Sequence, residues 1–157
     1  MKHRIVVIGA GYTGGTAAAR LARRLHPDDT EIILVNADHD FVERVRLHQL
    51  ATGQELKRRP LTEALAGTGV SVWQARVTAV DVDRKRVALI RENVAGVTND
   101  NSAGDIGYDT LVYALGSAAA DHGVQGVAEY AYDIAGRRSA LRLRERLSNL
   151  PEGGAVL

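Results

Sequence analysis

Three glycines near the amino terminus separate a short apolar run from a predicted helix. Gly9, Gly11 and Gly14 have the spacing G-x-G-x-x-G, and residues 5–8 directly before them are all apolar. Gly9 suits a tight turn, Gly11 lets a pyrophosphate approach the backbone, and Gly14 allows a helix to pack closely on a strand. The first N–H groups of that helix, at its positive dipole end, would face the anion. The spacing therefore predicts a dinucleotide-binding site.

The elements needed to position this loop are two strands with a helix between them. Residues 5–8 form a continuous apolar run and residues 31–36 contain another, which is typical of parallel strands buried on both faces. Residues 13–25 predict a helix, because small and aliphatic side chains recur on one face while arginines lie opposite. The three elements together have the size of a βαβ unit, whose crossover is expected to be right-handed.

Asn36 ends the second predicted strand, at the position where this unit ordinarily has an acid. An Asp or Glu about 20 residues beyond the glycines binds the ribose hydroxyls of the nucleotide. The amide oxygen of Asn36 can accept one hydroxyl hydrogen bond, but it lacks the charge of a carboxylate. Asn36 as a ribose contact and Asn36 as a turn residue both stay open, and Asp38 or Asp40 can supply an acid from the following loop.

Two segments before residue 67 predict short helices. Residues 41–52 mix aliphatic and charged side chains, and residues 60–65 begin with a proline, which suits the first turn of a helix. Within the first segment, Arg44, Arg46 and His48 are candidates for contact with a phosphate or another part of a bound cofactor. The same three side chains also fit an ordinary solvated helix face.

Beyond residue 67 the apolar period changes from helical to two. Residues 70–73 predict a strand, and residues 77–82 and 87–90 around a charged turn predict an antiparallel hairpin. Residues 93–107 are rich in Asn, Gly, Asp and Ser, and they predict a loop or a widened turn between strands.

The last third of the chain predicts one more buried strand, a basic helix and the start of another strand. The strand covers residues 108–117 and ends in a turn of small residues, and the helix covers residues 137–150. The five arginines of that helix predict a solvated outer face. Residues 155–157 follow a Pro-Glu-Gly-Gly break and begin a new apolar run.

Composition excludes several classes of function. The 157 residues are enough for about one domain, and the formal net charge of +1 gives no reason to expect a nucleic acid partner. The absence of cysteine excludes disulfides, thiolate metal sites and a redox-active cysteine pair within these residues. The five histidines are scattered without the spacing of a metal site, so none is predicted. The apolar start is too short for a signal peptide or membrane span, so we expect a cytoplasmic setting.

Three motifs in a fixed order carry a resemblance to a known superfamily. They are the glycine motif of residues 9–15, the hairpin after residues 76–81, and the strand of residues 108–117 with its small-residue turn. Together they resemble the N-terminal part of flavoproteins with two dinucleotide-binding domains. The chain is most similar to type II NADH dehydrogenases, NADH:quinone reductases and apoptosis-inducing-factor-like proteins. The third motif resembles their Ala-Thr-Gly turn, with Leu115 in place of the threonine.

The resemblance implies an α/β fold and a set of cofactor contacts. The fold is a Rossmann-like parallel sheet with helices on its faces and a β-hairpin or meander layer, the FAD/NAD(P)-binding fold, here truncated. FAD would lie with its pyrophosphate over the glycine loop, its adenine beside Val77 and its flavin near the small-residue turn. The predicted cofactor-binding residues are Gly9, Ala10, Gly11, Tyr12, Thr13, Gly14, Asn36, Val77, Ala114, Leu115 and Gly116.

The implied activity is transfer of a hydride from NAD(P)H, the co-substrate, to the flavin and onward to a quinone or similar small acceptor. No catalytic side chain is predicted, because the cofactor does the chemistry. Relatives that reduce disulfides need a cysteine pair just after the first helix, and this chain has none.

The resemblance also implies that residues 1–157 are only the first segment of an FAD-binding domain. The NAD(P)H-binding domain would begin near residue 153 and is missing, so the fragment alone is expected to be inactive. Membrane contact, at the inner face of the membrane, would come only through a missing C-terminal segment. A non-catalytic nucleotide-binding module is the alternative. A single-domain NAD(P)-dependent dehydrogenase is a third interpretation, but its Tyr-x-x-x-Lys pair does not occur in the sequence.

Overall fold

The computed structural model describes residues 1–91 and 103–151 of the chain. The chain divides into two compact units. The first unit consists of Met1–Phe41 and Arg59–Gly116, and the second consists of Val42–Arg58 and the chain from Ser117 onward. The predicted start of a strand at residues 155–157 lies outside the described residues.

A parallel four-stranded sheet is the centre of the first unit. Its strands are β1 (His3–Ile8), β2 (Thr30–Asn36), β3 (Ser71–Gln74) and β7 (Thr110–Tyr113). Their order is β3-β2-β1-β7, and every neighbouring pair is parallel. The β1 residue Ile5 is in register with Ile32 on one side and with Thr110 on the other. The predicted βαβ unit is therefore present as the inner part of this sheet.

Alternate residues of β1 enter two separate apolar clusters, because successive side chains of a strand point to opposite faces. Ile5 and Val7 pack in a cluster that includes Ala18 of helix α1 (Tyr12–Arg24). The same cluster contains Leu61, at the start of the short helix α3 (Leu61–Ala64). The continuous apolar run that predicted a strand buried on both faces is thus explained by a covering layer on each side.

An antiparallel sheet supplies the layer on the other face. Its strands are β4 (Arg76–Asp81), β5 (Arg86–Ile90) and β6 (Ala103–Gly107), in the order β4-β5-β6. Val6 and Ile8 of β1 pack with Val87, Leu89 and Ile106 of this sheet. The predicted hairpin is confirmed as the pair β4 and β5. The predicted α/β fold with an additional hairpin or meander layer is confirmed as well.

The prediction of a loop over residues 93–107 was wrong for its last five residues. Residues 103–107 form β6, and Val87 of β5 is in register with Ile106. Gly and Asp disfavour strands in isolation, but pairing with β5 and burial of Ile106 override that local preference. The rest of the predicted loop, residues 93–102, lies outside the described part of the chain.

Strand β7 is less buried than the sequence indicated. The predicted buried strand over residues 108–117 is formed only as Thr110–Tyr113, and Tyr113 is 68% exposed. The reason is its place in the sheet, since β7 has β1 on one side and no further strand among the described residues on the other.

The second unit is helical in its described residues. A 3-10 turn (Arg44–Arg46) leads into helix α2 (Leu47–Ala51), and helices α4 (Val127–Tyr130) and α5 (Arg137–Ser148) follow later in the chain. Leu47, Leu50 and Ala51 of α2 form a core with Ala140 of α5. Short helices over residues 41–52 and the basic helix over residues 137–150 were predicted, whereas α4 was not. No helix in the described ranges is both long and apolar enough to cross a bilayer.

Candidate functional site

The glycine loop lies at the carboxyl end of β1, between β2 and β7. The chain proceeds from β1 to β2 and β3 on one side of the sheet, whereas β7 lies on the other side of β1. The point where strand order reverses is the place at which open α/β sheets bind ligands, beyond the carboxyl ends of their strands. The turn that follows β7 begins at this same edge of the sheet. There, Ala114 N–H donates a hydrogen bond to the Ile8 carbonyl at 2.8 Å.

Gly9 makes the close approach between the glycine loop and the turn after β7 possible. Its φ angle is +93°, and a β-carbon there would lie 2.7 Å from the carbonyl carbon of Ala114 and 2.9 Å from Leu115 Cα. Both observations require glycine, because a side chain has neither the conformation nor the space. The sequence prediction of a tight turn at Gly9 is consistent with this geometry.

Gly14 is also enclosed by protein. A β-carbon on Gly14 would overlap the carbonyl oxygen of Gly9 and would lie 3.1 Å from Ala114 Cβ. The first turn of α1 therefore packs directly on the loop, so this glycine serves helix packing, as its position in the motif suggested.

Gly11 differs from both because it faces open space. Apart from the two chain neighbours of Gly11, no atom of the described residues would lie within 4 Å of a β-carbon at this position. Its φ of −69° and ψ of −168° are extended and accessible to any residue. Neither its conformation nor contact with the described residues requires glycine here, and the open space leaves room for a ligand at the backbone.

The first backbone donors of α1 have no acceptor within the helix itself. The first hydrogen bond of the helix runs from Gly15 N–H to the Gly11 carbonyl at 3.0 Å. The N–H groups of Tyr12, Thr13 and Gly14 come before it in the chain, where an α-helix offers them no acceptor. Within the described chain, no side chain caps this helix and its first turn holds no acidic residue. The helix dipole is thus left available for an anion. Tyr12 itself packs edge-on against Phe41, with ring centroids 5.1 Å apart.

Asn36 is attached to the glycine loop by its side chain. Its amide oxygen accepts a hydrogen bond from Ala10 N–H at 2.9 Å. Its amide nitrogen donates to the Asp38 carbonyl at 2.8 Å. The sequence left Asn36 open between a ribose contact and a turn residue, and it did not predict the contact with Ala10. The signal was the amide itself, which can accept and donate at once where a carboxylate only accepts.

The two acids after Asn36 have different surroundings. Asp40 is buried, and its Oδ1 lies 3.1 Å from Nδ1 of His39. Asp38 is exposed. Of the two loop acids considered for the ribose, Asp38 is therefore the one that a ligand can reach.

An apolar surface lies at the end of β7. Tyr113 and Leu115 are 68% and 45% exposed, although both are large hydrophobic residues. Exposed side chains of this kind leave room for a ligand or partner at this sheet edge. Val77, the predicted neighbour of the adenine, is half-buried against the core beside the antiparallel sheet, at a bulge in the pairing of β4 with β5.

Arg44 and Arg46 of the second unit make hydrogen bonds within the protein. Arg44 donates from Nε to the Ala135 carbonyl at 2.8 Å and from Nη2 to the Ser117 carbonyl at 2.6 Å. Arg46 binds the carboxylate of Glu43 at 3.2 Å and the side chain of Gln49 at 2.8 Å. These contacts show a structural role for both arginines that residue type alone did not reveal.

Comparison with known proteins relates nearly the whole described chain to one protein family. The family model described as pyridine nucleotide-disulphide oxidoreductase matches residues 3–151. An NADH dehydrogenase-like protein of Mycobacterium tuberculosis is 32% identical over 96% of this chain and 36% of its own length. A type II NADH:quinone oxidoreductase of Staphylococcus aureus is 28% identical over 85% of this chain and 31% of its own length.

The fold is shared with a solved structure. The sulfide:quinone oxidoreductase of Aquifex aeolicus superposes with a TM-score of 0.73 at 26% identity, covering 93% of this chain and 32% of that one. The chain thus spans about a third of the length of the relatives that it matches.

Proposed function

The chain belongs to the pyridine nucleotide-disulphide oxidoreductase family, and from that premise we propose that its glycine loop binds the pyrophosphate of FAD. The observation that carries the proposal is the open space at Gly11 beside the uncapped start of α1. A pyrophosphate placed there would accept hydrogen bonds from backbone N–H groups and lie at the positive end of a 13-residue helix.

The residues on either side of the loop fit the two ends of FAD. On the β2 side, we place the ribose at the turn after Asn36, within reach of the exposed Asp38. We place the adenine beside Val77. On the β7 side, we place the flavin ring at Ala114, Leu115 and Gly116, because an exposed apolar edge suits one side of a flat aromatic ring.

The activity that we propose for the whole protein is oxidation of NAD(P)H with a quinone or similar small acceptor. The chemistry that FAD supplies is acceptance of a hydride and release of electrons to the acceptor. A quinone is favoured over a disulfide as acceptor because these residues contain no cysteine. Two of the relatives above are named for quinone reduction. We place NAD(P)H in a second dinucleotide-binding domain from about residue 153, and the whole protein in the cytoplasm at the inner face of the membrane.

The role of the protein in this chemistry is to bind and orient FAD. The amides at the start of α1 would hold the diphosphate, and the contact between Gly9 and Ala114 would fix its distance from the flavin end of the site. None of these groups has to donate or accept a proton, so we assign no general acid or base.

The test of the FAD site is a titration of the purified chain with FAD, followed by quenching of flavin fluorescence. Gly11→Val would place methyl groups in the space reserved for the pyrophosphate and should weaken binding at least about 100-fold. The matched control is Gly136→Val, since Gly136 also precedes a long helix with extended backbone and open surroundings. Equal binding by the wild-type chain and Gly11→Val would refute the site.

A comparison of FAD with ADP separates a flavin site from a general nucleotide-binding module. If the flavin ring packs on the 114–116 turn, FAD should bind at least about ten times more tightly than ADP. Leu115→Ser should reduce that ratio and leave ADP binding unchanged. FAD binding no tighter than ADP would favour the non-catalytic module instead.

A further inference from the structure

The side chain of Asn36 continues the hydrogen bonding between β1 and β2 beyond the last backbone pair. Gly9 N–H donates to the Val35 carbonyl at 2.8 Å, which is the final backbone bond of this ladder on the loop side. The next N–H along the chain belongs to Ala10, and the amide oxygen of Asn36 accepts it at 2.9 Å. A side chain therefore takes the place of the backbone where the loop leaves the sheet.

Burial makes this contact necessary for the loop. Ala10 is only 3% exposed, and a buried N–H group without an acceptor destabilises the conformation that contains it. The bond to Asn36 satisfies the Ala10 N–H, and it also directs that N–H away from any ligand. The pyrophosphate is then left to the amides from Gly11 onward.

The nitrogen of the Asn36 amide donates a hydrogen bond to the turn after β2. Asn36 Nδ2 donates to the Asp38 carbonyl at 2.8 Å and so ties the turn after β2 to the glycine loop. An aspartate at this position has no donor for that carbonyl, and its second oxygen would face the carbonyl oxygen of Asp38. The amide thus fits a bridging role that the usual acid of this fold cannot perform.

We propose that Asn36 is a positioning residue that holds the glycine loop in its anion-binding conformation and does not bind the ribose. The proposal rests on the proposed nucleotide site, and it changes the role of Asn36 within that site. A loop that is already held in place before the ligand arrives loses less conformational entropy on binding. Loss of the bridge should therefore weaken every ligand that uses the loop by the same factor, with or without a ribose.

The first arm of the test needs no ligand. Hydrogen exchange of the Ala10 amide, measured by NMR on the free chain, should be accelerated about ten-fold in Asn36→Ala. Asn36→Asp retains an acceptor for Ala10 and should exchange more slowly than Asn36→Ala. Asn149→Ala, which changes an exposed asparagine at the end of α5, is the control and should leave Ala10 unchanged. Unchanged exchange in Asn36→Ala would overturn the proposal.

The second arm compares ADP, 2′-deoxy-ADP and inorganic pyrophosphate as probes. Asn36→Ala should weaken all three by the same factor of about ten and preserve the ratio between ADP and 2′-deoxy-ADP. A ratio that differs from one in the wild-type chain and falls to one in Asn36→Ala would identify a ribose contact and overturn the proposal. If the wild-type chain bound none of the probes, the proposed nucleotide site would fail, while the exchange arm would still decide whether Asn36 holds Ala10.

Discussion

Gly14 lies so close to the carbonyl oxygen of Gly9 that no β-carbon fits between the start of α1 and the loop that precedes it. The neighbouring Gly15 has room, because a β-carbon there would meet only the Ala10 carbonyl oxygen, at 3.8 Å. Two adjacent glycines of one helix turn thus have opposite steric surroundings.

Gly14→Ala is expected to destabilise the first unit by about 1–3 kcal/mol, because the methyl group must displace backbone. Gly15→Ala should leave stability unchanged or raise it by up to about 1 kcal/mol, since alanine favours the helix. Urea denaturation followed by the fluorescence of Trp73, the single tryptophan of the chain, measures both. Equal stability of the two variants would contradict the described packing.

Removal of a side chain that is buried between the two sheets should lower the stability of the fold. Ile33 of β2 is 2% exposed and packs with residues of the antiparallel sheet, so Ile33→Ala should lower the free energy of unfolding by about 2–5 kcal/mol. Ile90→Ala removes the same atoms at a site that is 39% exposed and should cost clearly less. The same urea experiment applies, and similar losses from both variants would argue against the layer arrangement.

Arg44 is expected to stabilise the second unit through its bonds to two carbonyls. Arg44→Met removes the donors to Ala135 and Ser117 and should cost about 1–2 kcal/mol of local stability. Arg46→Met is the matched control, because its partly exposed pair with Glu43 should contribute at most about 0.5 kcal/mol. Hydrogen exchange across residues 133–140 measures the difference. If Arg46→Met loosened this segment as much as Arg44→Met, the assignment to Arg44 would fail.

The ion pair between Arg86 and Asp105 on the antiparallel sheet predicts that stability depends on pH in the acidic range. A hydrogen bond from Arg86 is the main cause that lowers the pKa of Asp105. Because the folded-state pKa lies below the unfolded value of about 3.9, the stabilisation is present above that pH and is lost as pH falls through the folded pKa. The midpoint of urea unfolding should therefore fall less between about pH 5 and pH 2 in Asp105→Asn than in the wild type. In an Arg86→Met background, Asp105→Asn should change nothing, and a persistent effect would contradict the pairing.

The local patterns of this sequence were sufficient for most of the architecture. Continuous apolar runs indicated β1 and β2, the small-residue face indicated α1, and the charged turn between period-two runs indicated the hairpin of β4 and β5. Each of these signals depends on near neighbours in the chain, which is why it can be read from residue order.

What residue order did not reveal depends on contacts between distant positions. Strand β6 exists because residues 103–107 pair with β5 and bury Ile106, not because Gly and Asp favour a strand. Arg44 was a candidate ligand by residue type, and only the positions of Ser117 and Ala135 showed that it binds backbone carbonyls.

The glycine spacing by itself indicated that a tight loop lies at this place in the chain, and it predicted a pyrophosphate as the ligand of that loop. Tertiary structure alone decided which glycine serves which purpose. Gly9 is enclosed by the turn at Ala114, about a hundred positions away in the sequence, and Gly14 is enclosed by Gly9 and Ala114, whereas Gly11 is open. Tertiary structure also decided that the amide of Asn36 faces Ala10. The physical reason is that spacing sets backbone conformation locally, while steric enclosure and hydrogen-bond partners come from the strands that fold up beside it.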